Sequence, residues 1–214
     1  DMLTVWGRRN SSNVQVVMWG IAELGLTATR HDAGHKYGGT DTPDYRAMNP
    51  NGLVPVLKDG DDAPLFESAV ILRYLASRYG AAPFWPDDVS ARAQIDKWAE
   101  WAKLNIWLNF SGPVFWQIVR VPEADRNAAA IAAAVQALKP RFDIAEARIA
   151  EHGYIAGKDF TLADLQFGHL LYRYYDLPID RPSHPAIERY YAALTERPAY
   201  REHVMVSYDD LRVV

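Results

Sequence analysis

The chain of 214 residues contains no cysteine. Disulfide bridges, thiolate metal sites and catalysis by a protein thiol are therefore excluded. It also has no apolar run of about 18 residues, so no membrane-spanning helix is predicted. The N-terminus shows no basic stretch followed by an apolar core and a small-residue cleavage site, which predicts a cytoplasmic protein.

Charge of one sign is not concentrated anywhere in the chain, whose formal net charge is −4. Nucleic-acid binding needs Lys and Arg gathered on one face, so a nucleic-acid partner is not predicted. A glycine-rich phosphate loop is absent as well. His31 and His35 are four residues apart, but Gly34 and the extended context remove the helical geometry that would let both bind a metal. The sequence therefore predicts no metal site.

The first half of the chain alternates short extended stretches with helical ones. Residues 3–6 predict a strand, and apolar residues then recur at helical spacing until Gly25, a residue typical of helix C-termini. Residues 27–31 predict a second strand, and residues 53–57 and 64–66 predict a hairpin. The order is βαβ followed by two further strands.

A helix that begins at Ser68 completes the order βαβ-ββα, and the pattern changes after it. Residues 81–90 carry two prolines and no periodicity, which predicts a linker. Everything beyond them is helical in pattern. The sequence thus predicts an α/β domain over residues 1–80 and an all-α domain over residues 91–214.

Four helix starts are predicted in the second half. Ser90 is expected to cap a first long helix, and Pro122 to begin a second. Thr161 and Asp164 have the spacing of a capping box, in which an acidic residue follows a hydroxyl cap by three positions. Pro185 is expected to begin the last long helix.

The most informative motif is Val54-Pro55, followed twelve residues later by Glu67-Ser68. Pro55 cannot donate a hydrogen bond to a sheet, and a cis bond before it would turn the backbone of Val54 toward a ligand. At a helix start, Glu67 could bind an ammonium group while Ser68 and free N–H groups bind a carboxylate. The pair suits a zwitterionic amino acid. The alternative is that Ser68 is only a cap and Glu67 a first-turn acid.

This arrangement resembles the glutathione S-transferase superfamily over nearly the full chain. The segment from Asn10 to Gln15 and the Glu23-Leu24-Gly25 segment are similar to bacterial members of the serine-using, theta-like group. The resemblance implies a thioredoxin-like N-terminal domain, an all-α C-terminal domain and a homodimer. It also implies a detoxification enzyme that binds glutathione as cosubstrate and adds its thiolate to a small hydrophobic electrophile.

The resemblance implies a serine hydroxyl that donates a hydrogen bond to the glutathione sulfur. It places this role on Ser11, fourteen residues before Gly25, with Ser12 as a close rival. Asn13 would cap the helix or contact the sulfur. Without the resemblance, the two serines would be interpreted as turn residues.

The remaining predicted glutathione contacts also follow from the resemblance. A cis Pro55 and the Glu67-Ser68 pair would hold the γ-glutamyl end, and the loop after the second strand would hold the glycine carboxylate unless it is merely solvated. Leu53 stands where related proteins often have a Lys, Arg or Gln that helps to bind glutathione. These predicted contacts are His35, Lys36, Val54, Pro55, Glu67 and Ser68.

In the family, a pocket for the second substrate lies between the domains, beside the sulfur. Trp107, Phe110 and Phe115 are the candidates for it, although aromatic residues at such spacing are more often core. Two alternative functions stay open: a non-catalytic ligand-binding protein of the same fold, and a glutathione-dependent peroxidase or reductase. The absence of cysteine disfavours the version of the latter that uses a protein thiol.

Overall fold

Four short strands form one mixed sheet in the first half of the chain, which a computed structural model describes over residues 2–213. The spatial order is β2-β1-β3-β4; β1 is parallel to β2 and antiparallel to β3, and β3 is antiparallel to β4. The hairpin's first strand begins later than predicted, since Pro55 has no N–H to donate. The strands are β1 (Leu3–Trp6), β2 (Ala28–His31), β3 (Val56–Asp59) and β4 (Leu65–Phe66).

Helices cover both faces of this sheet. Because successive strand residues point to opposite faces, Leu3, Val5 and Leu57 belong to the main core, whereas Val56 packs in a second cluster with Tyr45. The main core lies beneath α1 and α3, which pack against each other, and Tyr45 belongs to α2. The helices are α1 (Ser12–Glu23), α2 (Pro43–Met48) and α3 (Ser68–Tyr79).

Gly7 lets three segments meet at the end of β1. A Cβ at this position would lie 2.3 Å from the Cγ2 of Val14 and 3.2 Å from the Cβ of Val54. The Gly7 N–H also donates to the carbonyl of His31 at 2.9 Å. Only a residue without a side chain fits between the first turn of α1 and the loop that precedes β3.

The second half is helical, as predicted, and none of its helices within residues 2–213 has the length and apolar character needed to cross a bilayer. Two π-helical segments, Ala102–Trp107 and Ser111–Trp116, interrupt its first long helical stretch. The α-helices are α4 (Val89–Trp101), α5 (Leu108–Phe110), α6 (Gln117–Val119), α7 (Ala128–His152), α8 (Leu162–Gly168), α9 (Leu171–Asp176), α10 (Pro185–Thr195) and α11 (Pro198–His203).

Two predicted helix starts are wrong. Asp88, not Ser90, caps α4, because its carboxylate accepts a hydrogen bond from the Ala91 N–H at 2.9 Å. Asn127, not Pro122, precedes α7, since its side chain accepts from the Ala130 N–H at 3.0 Å. In both places a side-chain acceptor three residues before a free N–H determines where the helix begins.

The capping box and the last long helix are confirmed. The hydroxyl of Thr161 caps α8, and one carboxylate oxygen of Asp164 accepts from the Thr161 N–H at 2.8 Å. The other oxygen accepts from the Tyr190 hydroxyl at 2.6 Å and from the Ile155 N–H at 3.2 Å. Burial raises the pKa of Asp164 to about 6. This carboxyl group therefore joins α8 to α10, which begins at Pro185 as predicted.

One hydrophobic core runs through both halves. Trp19 of α1 is fully buried, and its ring centre lies 4.9 Å from that of Tyr200 and 6.0 Å from that of Phe160. Gly168 of α8 makes room for this indole, since a Cβ there would lie 3.1 Å from it. The two halves are thus fixed relative to each other by packed aromatic side chains.

We predict that Gly7→Ala lowers the free energy of unfolding by about 1–3 kcal/mol, because the added methyl group overlaps Val14. Urea denaturation measures the change. Gly112→Ala is the matched control, since an added Cβ there meets nothing within 4 Å. Equal stability of Gly7→Ala and the wild-type protein would contradict this account of the junction.

Candidate active site

A cavity of about 260 Å³ opens where α1 and α3 begin. Its walls come from both halves of the chain: the two helix starts, the loops before β3 and α3, and the first π-helical segment. The lining residues are Asn13, Asn49, Asn51, Leu53, Val54, Pro55, Phe66, Glu67, Ser68, Lys103, Trp107 and Leu108.

The loop before β3 presents free backbone groups to this cavity. The Val54–Pro55 bond is cis, as expected. The Leu53 carbonyl accepts hydrogen bonds from the Tyr45 hydroxyl at 2.6 Å and from the Asn49 amide at 3.0 Å, which fix the loop. Within residues 2–213, the backbone N–H and C=O of Val54 have no hydrogen-bond partner. An extended ligand can therefore pair with Val54 as an added strand would.

Glu67 and Ser68 stand at the start of α3 in an unusual backbone geometry. Glu67 has φ 74°, in the left-handed region, and its side chain lines the cavity instead of capping the helix. Such a conformation costs roughly 1–3 kcal/mol for a non-glycine residue and often marks a functional position. Ser68 is buried and is the first helical residue, so it is not the cap that the alternative interpretation required.

The start of α1 faces the start of α3. The Ser68 hydroxyl donates to the Asn13 side-chain oxygen at 3.0 Å, and the indole N–H of Trp107 donates to the Ser12 hydroxyl at 3.3 Å. Ser11 is the buried N-cap residue, yet its side chain makes no capping hydrogen bond. Asn13 lines the cavity, whereas the two serines precede it without lining it.

Lys103 is a cavity residue that the sequence reasoning missed. Burial lowers its pKa, while the carboxylate of Glu67 acts in the opposite direction. In a π-helical turn, residues four and five apart face the same side, so Lys103, Trp107 and Leu108 line the cavity together. The spacing of four residues from Trp107 was the available signal. Asn49 and Asn51, in the loop before β3, are two further cavity residues that the sequence did not predict.

Phe110 and Phe115 do not line the cavity, contrary to the prediction. Phe110 and Phe115 are only 1% and 0% exposed, with ring centres 6.4 Å apart inside the core. They were predicted to line the second-substrate pocket with Trp107, because all three follow the start of the first long helix by several turns. Both rings pack in the main core instead, Phe110 at 5.9 Å from the ring centre of Tyr174 and Phe115 at 5.2 Å from that of Tyr208. Only Trp107 of the three borders the cavity.

His35 and Lys36 lie in a short 3₁₀ turn outside the cavity walls. Both are exposed, and the Lys36 ammonium lies 2.9 Å from a carboxylate oxygen of Asp210. That hydrogen bond raises the pKa of Lys36. Partial burial, then the positive charges of Arg120 and Arg8, lower the pKa of His35. The described residues contain no cluster of three or more His, Asp or Glu side chains suited to a metal ion.

Two family models and several known proteins identify the family of this chain. The family model of the glutathione S-transferase N-terminal domain matches residues 2–77, and that of the C-terminal domain matches residues 109–198. The chain is 36% identical to glutathione S-transferase GstB of Escherichia coli over 206 residues, which cover 96% of this chain and 99% of that protein. It is 32% identical to glutathione S-transferase 3 of Zea mays, covering 94% and 93% of the two chains.

The fold agrees with a solved structure as well. The theta-class glutathione S-transferase of the citrus canker pathogen Xanthomonas axonopodis pv. citri, with glutathione bound, superposes with a TM-score of 0.89. The sequence identity is 41%, and the match covers 96% of this chain and 98% of the other.

Proposed function

The chain belongs to the glutathione S-transferase superfamily, and on that basis we propose how its own residues bind glutathione and activate the thiol. The protein is a glutathione transferase of the bacterial, theta-like type, with glutathione as its cosubstrate. One observation carries the residue-level proposal: a single cavity joins Asn13, Glu67, Ser68 and the free backbone of Val54.

The γ-glutamyl end of glutathione is a zwitterion, and the start of α3 offers a partner for each charge. Glu67 binds the ammonium group through its carboxylate. The free N–H groups of the first turn bind the carboxylate, which the helix dipole also favours, and the Ser68 hydroxyl turns from Asn13 to donate to it as well. Lys103 lines the same cavity and adds a positive charge that favours binding of this carboxylate.

The rest of the peptide extends along the loop before β3. Val54 pairs with the cysteinyl backbone of glutathione, and Pro55 forms the floor beside it. His35 and Lys36 bind the glycine carboxylate, and because the Lys36 ammonium has three protons to donate, it also keeps its contact with Asp210. Both contacts are exposed, so their net free energy is small.

One of two serines at the start of α1 lowers the pKa of the glutathione thiol by donating a hydrogen bond to its sulfur. A free thiol titrates near 8.5, and lowering its pKa by about two units requires about 2.7 kcal/mol. A hydrogen bond to a charged group contributes about 1.5–3 kcal/mol and a helix N-terminus about 0.3–1 kcal/mol. Ser11 has no capping hydrogen bond, and Ser12 accepts from Trp107 and still has its own proton to donate. Asn13 assists through its amide group.

The thiolate then attacks a small hydrophobic electrophile that approaches along Trp107. A carbon–sulfur bond forms as the leaving group departs, or as a double bond accepts the sulfur, and no covalent enzyme intermediate is required. The protein contributes positioning and a lowered thiol pKa. Such chemistry fits a cytoplasmic enzyme of detoxification.

We predict that the glutathione thiol bound to the wild-type protein has a pKa about two units below that of free glutathione. The reason is the hydrogen bond from a serine at the start of α1. Thiolate absorbance in the ultraviolet, followed against pH at saturating glutathione, measures this value. Either Ser11→Ala or Ser12→Ala should restore the pKa of the free thiol, which identifies the donor.

Ser90→Ala, an exposed position at the start of α4, serves as the control and should leave the thiol pKa lowered. An unshifted pKa in the wild-type protein with binding intact would favour the non-catalytic alternative. Unchanged titration in both serine variants would remove the serines from the mechanism.

We predict that Glu67→Gln weakens glutathione binding by roughly tenfold or more, because a charge-assisted hydrogen bond contributes about 1.5–3 kcal/mol. Lys103→Met should weaken it less, since Lys103 is only partly buried. Calorimetric titration measures both affinities. Lys97→Met, which removes an exposed ammonium group on α4, is the control. Normal affinity in Glu67→Gln would contradict the assignment of the γ-glutamyl site.

We also propose a homodimer, as the family suggests. Apolar side chains lie exposed on both halves: Leu53 is 66% exposed, Val70 45% and Leu104 49%. Burying such groups favours association. The prediction is a sedimentation mass near twice the 24.2 kDa of one chain. A single species of one chain's mass at micromolar concentration would contradict it.

A further inference from the structure

Three arginines approach the start of α1, and none forms an ion pair within residues 2–213. The carbonyl of Arg8 accepts from the Ser11 N–H at 3.3 Å, so Arg8 belongs to the same turn as Ser11. The Arg173 guanidinium donates to the Asn10 carbonyl at 2.7 Å. We call Arg8, Arg120 and Arg173 the arginine cluster.

Two members of the cluster are buried without full hydrogen bonding. The Nε atoms of Arg8 and Arg173 are both buried and have no partner. The Arg173 guanidinium lies 4.2 Å from the ring centre of Phe115 and 5.8 Å from that of Tyr208. Burial, with the charge of Arg8, lowers the pKa of Arg173 to about 9. A guanidinium held among aromatic rings without a carboxylate leaves uncompensated positive charge in the protein.

Arg120 brings a third, exposed guanidinium to the same region. It follows α6 and lies 4.7 Å from the ring centre of Trp116. The Trp116 ring centre lies 5.0 Å from that of Phe115, the ring beside the Arg173 guanidinium, so the two rings connect Arg120 to Arg173. Burial, and then the positive charge of Arg120, lowers the pKa of both Arg8 and His35. No hydrogen bond or ion pair of its side chain is found in the described part of the chain.

The C-terminal segment contacts both the end of α6 and the side chain of Lys36. Val213 donates to the carbonyl of Val119 at 3.0 Å, and Asp210 accepts from Lys36 at 2.9 Å. Three residues of extended chain span at most about 11 Å, so this short segment connects the end of α6 to the side chain of Lys36. Asp210 pairs with Lys36, and Asp176 accepts from the Tyr208 hydroxyl at 2.5 Å, so neither carboxylate forms an ion pair with the cluster. The arginine cluster keeps its positive charge.

The cluster also adjoins the glutathione cavity. Gly34 separates them: a Cβ on Gly34 would lie 3.4 Å from a terminal nitrogen of Arg8 and 3.4 Å from a methyl group of Val54, which lines the cavity. A second substrate that meets the sulfur near Ser11 therefore comes within reach of guanidinium groups. Planar guanidinium groups bind carboxylates with high geometric specificity.

We propose that the arginine cluster binds a carboxylate carried by the second substrate, so that the preferred electrophiles of this enzyme are organic acids. Arg8 and Arg120 contact the carboxylate, and Arg173 adds positive charge from behind. In a substitution, the thiolate sulfur forms a bond to the electrophilic carbon, and the halide leaves with the electron pair of the broken bond. This inference rests on the proposed function of the cavity.

The glycine carboxylate of glutathione has the same chemistry and is the other possible occupant. Arg8 adjoins both places, since it shares a turn with Ser11, the proposed neighbour of the sulfur, and one of its terminal nitrogens lies against Gly34, beside His35. The second substrate is favoured because Lys36 and His35 already supply donors for the glycine end. The two carboxylates can be distinguished by measurement. A carboxylate of the second substrate binds while glutathione stays bound, whereas a compound that occupies the site of the glycine carboxylate displaces glutathione.

The test compares an acid with its neutral amide. Calorimetric titration of 3,5-dinitrobenzoate and 3,5-dinitrobenzamide into protein saturated with S-methylglutathione measures binding without reaction. The acid should bind at least tenfold more tightly than the amide to the wild-type protein and to the control Arg189→Met, an exposed arginine on α10. In Arg120→Met this preference should fall by about threefold or more, because the charge-assisted hydrogen bonds of Arg120 are lost while those of Arg8 remain.

Arg120→Lys should restore part of the preference, and Arg120→Glu should reverse it. Equal binding of acid and amide to the wild-type protein would overturn the proposal, as would an unchanged preference in Arg120→Met. Displacement of S-methylglutathione by the acid would assign the cluster to the glycine carboxylate instead, and would also overturn it.

Turnover of 4-chloro-3,5-dinitrobenzoate and its amide supplies an independent check. Each kcat/KM, divided by the uncatalysed rate constant with glutathione, should show the same preference for the acid and the same loss in Arg120→Met. The thiol pKa tests the proposed function separately. A normal pKa shift with no acid preference would reject the arginine cluster as a substrate site while leaving the transferase mechanism intact.

Discussion

Two helix N-termini meet at one point in this protein, and the hydrogen bond from Ser68 to Asn13 holds them there. Each helix start carries partial positive charge and free N–H groups, so bringing two together is unfavourable unless something negative lies between them. The side-chain oxygen of Asn13 supplies part of that compensation, and Glu67 lies at the same place. The cavity is thus a consequence of how α1 and α3 converge, and anionic ligand groups complete it.

Strand and helix identity in the first half followed from sequence because local chemistry determines it. Gly25 ends α1 with a positive φ, and Pro55 precedes a strand that it cannot join. The capping box at Thr161 and Asp164 was equally local. The cap at Asp88 was missed because Ser90, two residues on, fits the same pattern. Two neighbouring side chains that could both cap a helix cannot be ranked until the backbone conformation is known.

The residues of the candidate site follow the same rule: local contacts could be predicted from the sequence, and distant ones could not. Contacts that depend on neighbouring residues, such as Glu67 with Ser68, were visible in the sequence. Lys103 lies in a π-helical turn that brings it to the cavity, and no residue pattern in the sequence predicts π-helical turns. The arginine cluster depends on chain segments more than a hundred residues apart, and only the folded chain brings Arg173 to the turn that contains Arg8 and Asn10.

The shared core has a consequence for synthesis on the ribosome. Trp19 packs against Phe160 and Tyr200, which are made much later. At a translation rate of about 5–20 residues per second, the indole waits on the order of 10 to 40 s for its last partner. During that interval the nascent N-terminal half exposes an apolar face that its own residues do not cover. A chaperone has its longest opportunity to bind before α11 emerges.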